Sequence, residues 1–461
     1  MRVLDSNFNI SGAGYNTSVN PYLNKPDESR EALNCDTSEI GTLKRFPGYA
    51  TYGNDLGSTS ILGLYDYKTS TGDKKWLAVF ATDIYYDNAG TWMTTSSTLT
   101  TGKNAEFATH LDTLIMVNGT DAPLKSTNGT SFSALGGSPP TAKYILTFDN
   151  KVYMLNLTGN TSRMQWSDDG TIETWTATNI QDIITNIGIG DQITGGAVNS
   201  NSLLIFKNYS TWRWDTYSLK VLSPSIGARS PRSIVTLDDR TFFLSHKGVY
   251  ACDGSRPFRI SKKVQDFIDG ITDFTACVGW TEYNFYYLYI GTSNGVTNCV
   301  LIYDNDADNW SYKSLGVVPK VATILTTSPS TRNMYFGDSF GQVYKFKTGN
   351  NDNGAEIPFK YRSPLLLSSA PHKIKSYEYL YVFMDRDSEP GVQVYYSVDF
   401  EQFKILGIAS KSVSELPFPS NTRGHNIQIM YASNHSKAHQ DIYGHMLMGE
   451  VLEDRLVGGV V

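Results

Sequence analysis

The chain has 461 residues but only four cysteines, Cys35, Cys252, Cys277 and Cys299, far apart and without a CxxC pair. Such a set supports neither a disulfide framework nor a thiolate zinc site, and reads as four buried thiols. No run of about 18 apolar residues occurs, and the opening Met-Arg-Val-Leu-Asp-Ser-Asn lacks an apolar signal core. The expectation is a chain made in a cytoplasm that stays soluble, without stable membrane anchoring. Charge is also scarce, at 18% of residues, with 39 Lys plus Arg against 45 Asp plus Glu and no long basic run. Gripping nucleic-acid phosphates needs a clustered positive stripe, so tight DNA binding is disfavoured. A weakly acidic surface instead repels the polymer, which would let double-stranded DNA pass without specific binding.

Thr, Ser, Asn, Tyr and Gly are plentiful, and aromatics reach 13%, which suits strands and turns. Seven stretches share one grammar of β-rich run, Asn/Asp/Ser/Gly turn, second run, turn, and a closing strand that usually carries an aromatic residue. They start near Ile61, Ala105, Lys143, Ile193, Arg232, Phe274 and Val321, and the spacing of about 43 residues is that of four-stranded propeller blades. Local detail agrees. Tyr144 to Phe148 and Lys151 to Leu155 flank Asp149-Asn150, whose short side chains tolerate the left-handed backbone of a two-residue hairpin. Ser245-His246-Lys247-Gly248 places a glycine where the fifth repeat turns.

Three regions follow. Residues 1–60 read as an arm with one short helical or turn segment, Pro26 to Leu33, and a lead-in strand, Gly41 to Tyr49, that hands the chain to the first blade. Residues 61–350 read as an all-β, roughly seven-bladed propeller. Near Lys347 to Ala355 the pattern dissolves into Thr-Gly-Asn-Asn-Asp-Asn-Gly, a linker. Residues 355–461, with strands at Lys373 to Met384, Val392 to Ser397, Phe403 to Leu406, Asn426 to Ala432 and Asp441 to Met448, read as a β-sandwich. The last residues, Glu450 to Val461, are expected to fray or to dock on a neighbour. One helix is expected, Ile260 to Ile271, whose Val264, Phe267, Ile268 and Ile271 form an apolar stripe with Ser261 as N-cap.

Four constellations invite chemistry, and each has a plainer reading. Asp304-Asn305-Asp306-Ala307-Asp308-Asn309 begins like a calcium loop, but it lacks Gly at the sixth place and has Leu315 where a bidentate Glu belongs, so it reads as a hairpin turn. His435, His439, Asp441 and His445 have metal-like spacing, yet Ser433 to Gln440 reads as a polar loop. Trp212-Arg213-Trp214 could sandwich a sugar or base, although a strand sends both indoles to one face and the Arg to the other. Trp166-Ser167-Asp168-Asp169-Gly170 with Trp175, and Tyr396-Ser397-Val398-Asp399-Phe400 with Phe403, echo the Asp-box turns of sialidase-like propellers, which are structural. Asn118 to Thr120 and Asn128 to Thr130 match a glycosylation triplet that an Asn/Thr-rich chain produces by chance. No nucleophile elbow or arginine clamp is legible, so no catalytic, cofactor or metal residue is assigned and no cofactor is expected.

Several segments together resemble the β-propeller tail proteins of tailed bacteriophages, the group of tail hub, nozzle and packaged-DNA-stabilisation proteins. Glu31-Ala32-Leu33-Asn34-Cys35-Asp36 and Gly41-Thr42-Leu43-Lys44-Arg45-Phe46-Pro47-Gly48 are similar to the opening signature of that group. Leu203 to Lys207, Ile226-Gly227-Ala228-Arg229-Ser230-Pro231-Arg232-Ser233-Ile234 and Phe243 to Tyr250 resemble its consecutive blades. The likeness spans residues 30–350 and departs from the group in the order Arg229-Ser230-Pro231. It implies a non-enzymatic structural virion protein: a homo-oligomeric ring, hexameric in the group, below the portal and adaptor, in contact with tail fibre or tip proteins and surrounding the DNA-ejection conduit. A glycan- or host-receptor-binding module, or a glycan-cleaving propeller, is the competing expectation.

Overall fold

The computed structural model describes residues 2–7, 14–36, 38–39, 41–184, 191–328, 331–368, 371–385, 387, 390–435 and 441–452. Seven antiparallel sheets follow one another along the chain. Their first strands are Ile61–Lys68, Glu106–His110, Ala142–Phe148, Ile193–Asn199, Val235–Leu237, Val278–Glu282 and Pro319–Ser328. Each pairs outward through a second and third strand to a fourth, and all seven first strands line one axial cavity. This is a seven-bladed β-propeller, with every blade within a few residues of its sequence expectation.

The turns form for local reasons. Asp149 and Asn150 adopt φ of 47° and 56°, the left-handed pair a tight hairpin needs. Between blades, side chains from facing sheets form separate apolar layers: Leu77, Ile84 and Met116 between the first and second blades, and Leu155, Met164 and Leu203 between the third and fourth. The recurrent aromatics stand on third strands more regularly than on closing ones. Trp166 and Trp214 occupy third strands and meet at 5.3 Å, while the fourth strand of the second blade is only Ser133–Ala134.

The arm departs from expectation in three ways. Pro26 to Leu33 is a turn only at Pro26 and Asp27 and is extended beyond it: Glu28–Ser29 pairs in parallel with Gly14–Tyr15, and Glu31–Leu33 pairs with Phe359–Arg362. The buried Glu28 carboxylate accepts from Asn16 Nδ2 at 2.8 Å, Asn24 Nδ2 at 3.1 Å and Lys25 N at 3.1 Å, which fixes an extended path. The lead-in strand also does not enter the first blade. Tyr49–Tyr52 instead supplies the fourth strand of the seventh, with Tyr49 opposite Phe346 and Tyr52 opposite Val343, so N-terminal chain closes the ring. Gly48 is required there because a Cβ would lie 1.7 Å from Asn351 O.

The third departure joins the two lobes. The sheet of the sixth blade does not end at Asn309–Ser314; it continues through Glu31–Leu33, Phe359–Arg362, Ile427–Ser433, Val392–Val398 and Lys404–Ala409, nine strands in all. The last five are one layer of the C-terminal sandwich. The other layer is Arg2–Asn7, Ile442–Val451, Lys375–Met384 and Val413–Pro417, with Arg423–Gly424 beside Lys375 and Ser376. One apolar core runs from Phe242 and Leu288 in the blades through Tyr15, Tyr312 and Tyr361 to Leu380 and Leu447. Asn426 to Ile429 is buried on both faces rather than half-buried, because Gln428 bonds Arg362 and Ser363 O. Glu450 and Val451 extend a strand, and 453–461 lie outside the described residues.

The expected helix is shorter and begins differently. Ser261–Val264 is 3-10 and Gln265–Asp269 is α-helical. The stripe Val264, Phe267, Ile268 and Ile271 is buried as expected. Ser261 is not a cap, because its hydroxyl accepts from Val249 N at 2.9 Å.

Candidate functional site

An arginine and a glutamate from different blades face each other on the propeller axis. The segment Arg229 to Ser233 is held rigidly: Arg229 N donates to Leu244 O at 2.8 Å, Ser230 Oγ to Cys277 O at 2.7 Å, and Ser233 Oγ to Ser230 O at 2.8 Å. Pro231 presets φ at the first position of the 3-10 turn Pro231–Ser233. The turn carries Arg232 into the channel. Its Nη1 donates to Lys320 O and its Nη2 to Leu62 O, while Nε stands 4.0 Å from Glu106 Oε1. One side chain thus ties the fifth blade to the seventh and first, across the axis, and faces the second.

Arg232 lines two spaces at once. Toward the loops that precede the first strands is a funnel of about 480 Å³, bordered by Thr59, Asn104, Asp273, Thr275 and Lys320. Toward the mid-height of the blades is a cavity of about 320 Å³, bordered by Tyr65, Glu106, Phe107, Tyr144, Leu146 and Val321. The guanidinium is a septum between them. Burial lowers the Arg232 pKa, opposed by Glu106 and Tyr144. Burial raises that of Glu106, opposed by Arg232, and raises that of Tyr144, assisted by the Glu106 charge. Each shift disfavours the charged form, the direction that partial withdrawal from water gives.

Among the described residues Glu106 is the one carboxylate that lines the mid-height cavity, and a guanidinium faces it, so those residues place no opposed carboxylate pair of glycosidase type there. The sequence candidates lie elsewhere. Asp304 Oδ1 accepts from Asp306 N and Ala307 N at 2.9 and 3.1 Å, Asp308 accepts from Tyr303 at 2.9 Å, and the segment is a hairpin turn. Among the described residues no three His, Cys, Asp or Glu side chains are placed to hold a metal ion. His435 is exposed in a loop and His445 is buried on a strand, its Nδ1 3.1 Å from Tyr431 Oη; His439 lies outside the described residues. Trp212 and Trp214 both pack between the third and fourth blades. Asp168 accepts from Asn179 at 2.6 Å and Thr176 at 2.9 Å and so braces its own loop, while Asp399 accepts from Asn426 N at 3.1 Å and ties its turn to the start of Ile427–Ser433; both roles are structural. The four cysteines are buried and unpaired; burial pushes Cys252 up to about 11 and Cys277 up to about 12. Asn118 is buried, with its Oδ1 accepting from Thr120 N and Asp121 N.

Sequence reasoning missed the Arg232, Glu106 and Tyr144 constellation. A signal existed: all three stand at or just before the first strand of a repeat, the strand that faces the axis.

No protein-family model matches the chain and no curated protein matches it. Solved structures do. YCF48 from Cyanidioschyzon merolae aligns at TM-score 0.43 and 11% identity over 65% of this chain and 98% of its own. BamB from Moraxella catarrhalis aligns at 0.41 and 12%, over 65% and 93%. The extracellular domain of a putative one-component system, BT4673 from B. thetaiotaomicron, aligns at 0.43 and 10%, over 85% and 57%.

Proposed function

We propose that the chain is a structural protein of a bacteriophage tail, a homo-oligomeric hub or nozzle ring below the portal and adaptor. In this reading it builds the conduit through which DNA leaves and meets tail fibre or tip proteins below. One observation carries the proposal beyond the sequence resemblance: blade and sandwich share one apolar core and a nine-stranded sheet whose two parts meet where Tyr312 pairs with Leu33. A ring component transmits load between neighbours, and a shared core with a strand junction resists hinge motion better than a linker does. The passage must run between copies rather than through one, since Arg232 blocks the axis and a duplex could not enter a cavity of about 320 Å³. Repetition of one head-to-tail contact around a closed axis produces such a lumen. Cryo-electron microscopy of purified particles tests this. Rings of density fitted by the chain around a duplex-wide lumen are expected, and absence of the chain from particles would refute it.

A further inference from the structure

The mid-height cavity has three polar groups with unused capacity. Among the described residues none donates a hydrogen bond to the Glu106 carboxylate, and Arg232 Nε at 4.0 Å is beyond hydrogen-bond length. Tyr144 likewise makes no hydrogen bond through its hydroxyl to a described residue, and Arg232 has N–H groups beyond the two spent on carbonyls. Beside them Tyr65 and Phe107 stack at 5.4 Å and 23°, and Leu146 and Val321 complete an apolar wall.

We propose that this cavity is a binding site for a small neutral hydroxylated molecule of monosaccharide or polyol size. Charge argues for neutrality: Glu106 and Arg232 offset each other, so a charged guest would leave a charge uncompensated between them. Hydroxyls fit because each both donates and accepts, serving the carboxylate, the guanidinium and the phenol at once. The aromatic pair offers a surface for C–H groups of a sugar face. Size limits the guest to one ring, because about 320 Å³ is at the small end of the roughly 300–1,000 Å³ range of ligand sites. The site is independent of the tail assignment.

Saturation-transfer NMR on the full chain, with D-glucose, N-acetyl-D-glucosamine and glycerol as separate probes, tests it. At least one probe is expected to bind in the millimolar range, and Glu106→Gln to weaken it about tenfold through loss of a charged acceptor. Tyr144→Phe should weaken the same probe more modestly. Crystals of the wild-type chain soaked in that probe should show it between Glu106 and the Tyr65–Phe107 pair, a reading that needs no folded variant. No transfer from any probe at about 50 mM, where millimolar binding would saturate the site, overturns the proposal. So does binding unaffected by both substitutions, or soaked density on exposed aromatics such as Tyr217 instead.

Discussion

Replacing Tyr49 by alanine should disable the closure of the propeller. Tyr49 is 2% exposed and is the first residue of the strand that completes the seventh blade. Its ring meets Phe336 at 5.6 Å and Tyr344 at 5.3 Å, both edge-to-face. Removing a buried aromatic costs about 3–5 kcal/mol from lost transfer energy and cavity formation, to which the two ring pairs contribute part. At about 2 cal/mol/K of unfolding entropy per residue, a propeller of this size loses about 1.6 °C of melting temperature per kcal/mol, so a drop of about 5–8 °C is expected. The loss should exceed that of an equally large side chain outside the closing strand, because the edge of Val343–Phe346 is then left with a weakened partner. Thermal and urea unfolding followed by tryptophan fluorescence reads it, with Tyr217→Ala, 93% exposed, as a control expected to stay within about 0.5 kcal/mol of wild type. Equal stability of the two variants would refute the closing role of the N-terminal strand.

Three further outcomes are expected. Phe243→Ala, at a fully buried ring 4.7 Å from Phe206, should cost about 3–5 kcal/mol in urea titration. Asp352→Asn leaves the Lys313 ammonium, 0% exposed and 3.0 Å from Asp352 Oδ1 in the native chain, buried without its anion; a loss of about 3–5 kcal/mol is expected, largely recovered by adding Lys313→Met. Burial holds His445 near pKa 4, below its ordinary 6.5, so in that window the unfolded chain binds a proton that the folded chain refuses. The stability from neutral His445 is complete above pH 6.5 and falls by roughly 3 kcal/mol as pH drops to 4. His445→Phe should flatten that slope in urea titrations at pH 7 and 4.5, and an unchanged slope would place the titration elsewhere.

The propeller was legible because its determinants are local. Turn pairs such as Asp149-Asn150 and alternating runs set each blade's position without reference to distant chain, and the apolar stripe of Val264 to Ile271 was equally self-contained. What escaped was long-range pairing. Residues as far apart as Tyr52 and Gln342, 290 positions in sequence, share the seam of the ring, and nothing near Gly48-Tyr49 signals that partner. Pro26 to Leu33 reads locally as a helix or a turn, but beyond the turn at Pro26-Asp27 the hydrogen bonds to Glu28 and pairing with Phe359–Arg362 hold it extended. The sandwich strands are legible, whereas its use of Arg2–Asn7 and Glu31–Leu33 is not, since the first is a mostly polar strand with an irregular register and the second pairs over only three residues, which leaves no periodicity to read. The axial Arg232 and Glu106 come from separate repeats, and only the closed ring brings them to 4.0 Å.

As proposed, this chain is a repeated building block around a conduit. Cryo-electron microscopy of purified tail particles, with mass spectrometry to identify the chain, is the decisive test. The chain is expected in stoichiometric multiples, each copy with propeller and sandwich joined through the nine-stranded sheet, around a lumen wide enough for duplex DNA. Particles that lack the chain, or a purified chain that stays a dispersed monomer and turns over a glycan, would contradict it.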